Sequence, residues 1–144
     1  MARGGKDNKL DHLAQVRLFS ACNKKELALI GKTADEVRIP VGKVLCEQGK
    51  PGFEFFLILD GEATVRRNNK KVASLGEGAS FGELALLTRM PRNATVEAAT
   101  EMTVLVLGQR EFSGLLDEVP GMAHKLLSSM ADRLSQADSK STSN

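Results

Sequence analysis

Histidine and cysteine are scarce: the chain of 144 residues holds two of each. His12 and His124 fall on helix-like segments near opposite ends, where a structural or solvent-facing role is expected. So few imidazoles argue against a metal enzyme. Cys22 and Cys46 stand alone without C-x-x-C spacing, which argues against a zinc site or a disulfide framework. Both read as small, half-buried apolar residues. Long apolar runs are also missing. Phe55-Phe56-Leu57-Ile58-Leu59 is strand-sized, far short of the roughly 18–20 residues that cross a bilayer. The basic start Met1-Ala2-Arg3-Gly4-Gly5-Lys6 has no apolar core behind it, so no signal peptide is read and a cytoplasmic location is expected. Charge of one sign is not in excess either. The net charge of +2 is too small to point to nucleic acid. The basic residues from Arg66 to Lys71 flank Asn68-Asn69 and read as a solvated hairpin tip.

What is present fits one soluble globular domain: 42% apolar and 26% charged residues. Residues 1–9 read as a flexible N-terminus. Leu10, Leu13, Val16 and Leu18-Phe19 then follow an approximate helical period. Asn23 and Glu26 form a capping-box pair ahead of a helix presenting Leu27, Ile30 and Ala34. From Glu36 the period changes. Val37–Val41, Val44–Cys46, Phe55–Leu59, Ala63–Val65, Val72–Leu75, Thr95–Ala98 and Thr103–Leu107 are short apolar or alternating segments separated by turn residues. Asp60-Gly61 between two such runs predicts a two-residue hairpin. This spacing implies a β-sandwich or barrel of jelly-roll type. Gln109–Asp117 reads as a short helix ending before Pro120. A last helix over 121–138 carries Met122, Leu126, Met130 and Leu134 on one stripe, widened by Ala123 and Leu127. Residues 136–144 read as a polar tail.

The chemistry is concentrated between Gly78 and Val96. Gly82 has no Cβ to obstruct a close backbone approach. Leu84-Ala85-Leu86-Leu87 are good helix formers, whose first N–H groups are available to an anion. Ionised Glu83 can only accept hydrogen bonds, which suits a hydroxyl. Arg92 offers a planar fork matched to two phosphate oxygens. The segment thus combines a hydroxyl acceptor, backbone donors and a cation, as a small ligand with a sugar and a phosphate requires.

A β-roll bracketed by helices that contains G-x-x-F-G-E-L-A-L-L and P-R-x-A-T-V resembles the cyclic nucleotide-binding domain of catabolite activators, kinase regulatory subunits and cyclic-nucleotide-gated channels. The resemblance covers about residues 10–135 and implies an α+β (mainly β) fold, a β-roll flanked by N- and C-terminal helices. It implies that Ser80–Val96 is the phosphate-binding cassette, with Glu83 on the ribose 2′-hydroxyl and Arg92 on the exocyclic phosphate oxygens. Backbone amides of Gly82, Leu84, Ala85 and Asn93 would complete the phosphate site, and Met122–Ala137 would fold over the base as a lid. Two positions depart from the family. Asn93 follows the arginine where the family often carries Ala, Thr or Ser. Phe53 stands where Asp commonly follows the G-x-x-G turn, in a loop distant in sequence from the cassette.

The expected function is a non-enzymatic sensor that binds cAMP in preference to cGMP, needs no cofactor or metal, and relays binding by movement of the C-terminal helix. Its output would pass through an effector protein or self-association, with no nucleic-acid partner and no membrane segment in this chain. The alternatives are a fold of the same type kept for protein–protein contact without nucleotide, a cupin-type metal enzyme, for which clustered histidines are wanting, and a DNA-binding regulator.

Overall fold

The computed structural model describes residues 5–88 and 90–142 and follows the expected order of helices, short strands and helices. It opens with α1 (Gly5–Gln15), a 3-10 turn (Arg17–Phe19) and α2 (Lys24–Thr33). Helix α2 starts where the capping pair predicts. Glu26 N donates to Asn23 Oδ1 at 2.9 Å, and Asn23 N donates to Glu26 Oε1 at 2.8 Å. Of the segment read as flexible, Gly5 to Lys9 belong to α1, and residues 1–4 lie outside the described residues.

Eight strands among the described residues form two antiparallel sheets. In one, β1 (Asp35–Ile39), β3 (Glu54–Asp60), β6 (Ser80–Phe81) and β8 (Met102–Gly108) lie in the order β1-β8-β3-β6. In the other, β2 (Val44–Cys46), β4 (Ala63–Arg67), β5 (Lys70–Leu75) and β7 (Thr95–Ala98) lie in the order β2-β7-β4-β5. This is the β-roll the sequence pattern implies. Strand β6 has only two residues, too few to leave a periodic signal. Asn68-Asn69 is a two-residue turn joining β4 to β5, with φ of 54° and 67°, the left-handed pair that a type I′ hairpin demands.

Asp60-Gly61 is not a hairpin. Strand β3 pairs with β6 and β8, whereas β4 pairs with β5 and β7, so the chain changes sheets there. Gly61 has φ +98°, and a Cβ on it would lie 2.5 Å from the Glu101 carbonyl oxygen. Glycine is needed to turn this corner beneath the Glu101–Met102 backbone, and that need mimics a hairpin signal.

Apolar residues on the two faces of β3 and β8 build two cores. Phe55, Leu57, Leu105 and Leu107 join Leu13, Phe19, Ile30 and Phe112 of the helical layer. Phe56, Ile58 and Val104 join Cys46, Val96 and Ala98 between the sheets. Phe19 meets Phe55 edge-on at 5.7 Å and lies 6.3 Å from Phe112. Each such side chain contributes about 1.5–3 kcal/mol through burial. Cys22 and Cys46 are free thiols, partly and fully buried. His12 packs against Gly78, and His124 is exposed.

Helix α3 (Gln109–Glu118) stops before Val119-Pro120, because the residue preceding proline is driven out of helical conformation. Helix α4 (Met122–Thr142) runs through most of the segment read as a tail; no Gly or Pro interrupts it, and residues 143–144 lie outside the described residues. Met122 and Leu126 are buried, whereas Ala123 and Leu127 face outward. The side chains of Met130 and Leu134 lie outside the described residues. No helix among the described residues is long and apolar enough to cross a membrane.

Polar contacts fasten α4 to the N-terminal helices. Lys125 Nζ donates to Glu26 Oε1 and Oε2 at 3.0 and 3.2 Å, and Ser129 Oγ donates to the Arg17 carbonyl at 3.0 Å. The Glu26 side chain is 10% exposed. The Asn23 amide chiefly holds its carboxyl below the usual range, burial opposes this, and Lys125 reinforces it. A lowered folded-state pKa stabilises the fold above the ordinary carboxylate value of about 4.3, and that stability is lost as pH falls through the folded value. Glu26→Gln is therefore expected to be less stable than the native chain at pH 7 and to show a smaller further loss in acid. Urea melts between pH 7 and pH 3 measure both effects.

Candidate functional site

Strand β6 delivers the cassette. Phe81 stacks on Phe56 with ring centroids 4.9 Å apart, and Phe56 pairs with Phe81 in register. Gly82 follows with φ +80° and turns the chain into a 3-10 turn over Glu83–Leu86. The run read as helix-forming, Leu84–Leu87, thus contributes to a single 3-10 turn. Within it the Ala85 amide donates to the Gly82 carbonyl at 2.9 Å, so this donor is engaged inside the turn and is not presented to an anion in this conformation. Leu84 lies in the same turn.

Gly82, Glu83, Ala85, Arg92 and Asn93 line one cavity of about 660 Å³. Apolar Val65, Val72, Leu75 and Val96 from β4, β5 and β7 line it as well. Cys46 lines it too; burial pushes its thiol pKa up, with Arg92 opposing and Glu54 reinforcing the rise. A larger hollow of about 880 Å³ lies between Pro51–Glu54 and the start of α3, and none of the sequence-predicted site residues lines it. The smaller cavity is where the acceptor and the cation meet.

The loop Gly49–Glu54, distant in sequence from the cassette, supports it in space. Gly49 N donates to the Arg92 carbonyl at 2.8 Å, and Arg92 N donates to the Lys50 carbonyl at 2.9 Å. The side chain is held as well, since Arg92 Nη2 donates to the Glu54 carbonyl at 2.8 Å. These partners act through main-chain atoms, so no residue type at 50 or 54 advertised them. Arg67 was likewise read as part of a solvated tip. Its Nε donates to the Asn93 carbonyl at 3.1 Å, and it lines the cavity. Gln48 secures the tip by exchanging hydrogen bonds of 2.9 and 2.8 Å with Asn68.

No described residue of α4 lines the cavity. The helix lies instead against the Arg17–Phe19 turn, and Arg17 itself reaches the cavity wall. The opposite link runs through α3, where Gln109 Nε2 donates to the Ala85 carbonyl at 3.2 Å and Gln109 N donates to the Phe53 carbonyl at 2.9 Å.

Comparison with known proteins agrees with this architecture. The family model for the cyclic nucleotide-binding domain matches residues 36–119. The chain belongs to that family. A cyclic nucleotide-gated potassium channel of Mesorhizobium japonicum is 36% identical over 77% of this domain, and a cAMP-dependent protein kinase regulatory subunit of Hypocrea atroviridis is 34% identical over 78%. The domain spans 31% and 24% of their respective lengths. The crystal structure of the N-terminal domain of a transcriptional regulator from Streptomyces coelicolor superposes with a TM-score of 0.85 at 29% identity, covering 90% of this domain and 94% of that chain.

Gly82 carries a direct test. A Cβ there would sit 2.7 Å from both Arg92 Nη1 and the Glu54 carbonyl oxygen, on a backbone of positive φ. Left-handed conformation costs about 1–2 kcal/mol in a residue with Cβ. Gly82→Ala is expected to lose at least that much stability in urea denaturation, because the contact with a main-chain oxygen adds to the conformational penalty.

Proposed function

We propose that this domain is a non-enzymatic sensor that binds a cyclic nucleotide, cAMP in preference to cGMP, and signals through its C-terminal helix. The observation that carries the reading is the convergence of Glu83 and Arg92 on one cavity that apolar Val65, Val72 and Leu75 also line. The cyclic phosphate pairs with the Arg92 fork, aided by amides of Gly82, Leu84 and Asn93. The ribose 2′-hydroxyl donates to Glu83, and the purine rests on the wall around Val65, Val72 and Leu75. Arg92 exchanges a neutral carbonyl partner for a charged phosphate, a charge-assisted bond roughly twice as strong as a neutral one. Position 93 holds neither Thr nor Ser, which favours adenine, in keeping with the kinase subunit's name.

Relay to α4 follows two routes. The cassette turn is tied to α3 through Gln109, and the cavity wall reaches α4 through Arg17 and Ser129. Ligand shifts α4 only insofar as it binds one arrangement of these contacts more tightly than another. The domain acts in the cytoplasm and passes its state to an effector protein or a second copy.

Calorimetric titration with cAMP and cGMP side by side tests the reading. The expected result is binding of both, with cAMP the tighter. A tighter grip on cGMP overturns the base assignment, and no binding of either at millimolar concentration supports the protein-contact alternative. Glu83→Ala is expected to weaken cAMP binding roughly 10- to 150-fold, the equivalent of about 1.5–3 kcal/mol. Arg92→Ala leaves a phosphate charge unpaired and costs about 2–5 kcal/mol.

A further inference from the structure

Two glycines from separate turns face the Arg92 side chain, and they are glycine for different reasons. Gly82 has positive φ, so its own backbone favours glycine whatever surrounds it. Gly52 is not among the positive-φ positions, and its backbone accepts any ordinary side chain. The space beside it does not. A Cβ on Gly52 would lie 2.5 Å from Arg92 Cζ and 2.6 Å from Nη2, and would collide with Nε. All three of its nearest neighbours are guanidinium atoms of this one residue.

We infer that Gly52 is the positioning residue for Arg92: its bare Cα is the floor on which the guanidinium lies. From that seat Nη2 reaches the Glu54 carbonyl, while the Arg92 backbone is held by Gly49 and Lys50. The fork is thereby ordered at the cavity wall before ligand arrives. Ordering it in advance favours binding, because immobilising a rotamer-rich side chain is otherwise charged against affinity. The inference rests on the reading of Arg92 as the phosphate anchor. A methyl group at 52 meets only the flexible end of a side chain, so it displaces the fork and leaves the β-roll intact.

Four proteins titrated with cAMP by calorimetry, with melting temperatures recorded, decide the matter: the native domain, Gly52→Ala, Arg92→Ala and the double variant. Gly76→Ala serves as control, since its φ is not positive and its Cβ would enter open space. Gly52→Ala is expected to bind about tenfold more weakly or worse, the equivalent of about 1.4 kcal/mol, with a nearly unchanged melting temperature. The double variant is expected to bind no more weakly than Arg92→Ala alone, because both changes remove one interaction. Gly76→Ala is expected to bind as the native domain does. Native affinity in Gly52→Ala beside a weakened Arg92→Ala overturns the role of Gly52, as do losses that simply add in the double variant. Failure of the native domain to bind cAMP, or native-like binding by Arg92→Ala, overturns the phosphate assignment and the role of Gly52 with it.

Discussion

Strand β3 is packed on both faces, and that double burial organises the molecule. Phe55 and Leu57 hold the helical layer, while Phe56 and Ile58 hold the second sheet. The same strand reaches the site at two points. The Phe56–Phe81 stack fixes β6 one residue ahead of Gly82, and the carbonyl of Glu54, at the start of β3, receives Arg92. Interior packing is close to that of an organic crystal, so a fault in this strand would be felt at once in the helices, between the sheets and in the cassette. The cavity therefore takes its shape from the core beneath it as much as from its own lining.

Within the cavity Glu83 and Arg92 of the cassette share the lining with apolar Val65, Val72 and Leu75 of β4 and β5 and with Val96 of β7. Apolar side chains bordering a charged contact lower the local dielectric and strengthen it. Buried Cys46 fits this setting, since burial raises its thiol pKa and favours the uncharged form. Arg67 supports the far end of the cassette by donating to the Asn93 carbonyl, which ties the loop after the anchoring arginine to the hairpin. Support from main-chain and neighbouring side-chain partners lets a loop hold its shape without a regular helix of its own.

Much of the fold was legible in the sequence. The capping pair Asn23/Glu26, the β4–β5 turn at Asn68-Asn69 and most strand positions follow from local patterns that local physics enforces. The convergence of Glu83 and Arg92 on one cavity was legible as well, because their chemistries are complementary within one short segment. Three features were not. Gly61 serves a corner between sheets and looks like a hairpin glycine, since both uses need positive φ. The loop from Gly49 to Glu54 grips Arg92 through main-chain atoms, which every residue type possesses. The resting place of α4 depends on Lys125 finding Glu26 and Ser129 finding the Arg17 carbonyl, pairings across nearly the whole chain that no periodicity encodes.

The buried middle of β3 also bears on how the strand finds its alignment. Sliding a strand by one residue exchanges its two faces, and in most half-exposed strands that places polar groups in the core. Here the exchange would trade Phe55 and Leu57 for Phe56 and Ile58, pairs of nearly equal bulk and hydrophobicity, so the centre of the strand carries little information about its own register. The boundaries carry it instead. Exposed Glu54 and Asp60 stand at either end, with an irregularity in the pairing to β8 between Ile58 and Asp60 and the Gly61 corner immediately beyond. β3 is addressed by its ends, and its apolar centre supplies cohesion without direction.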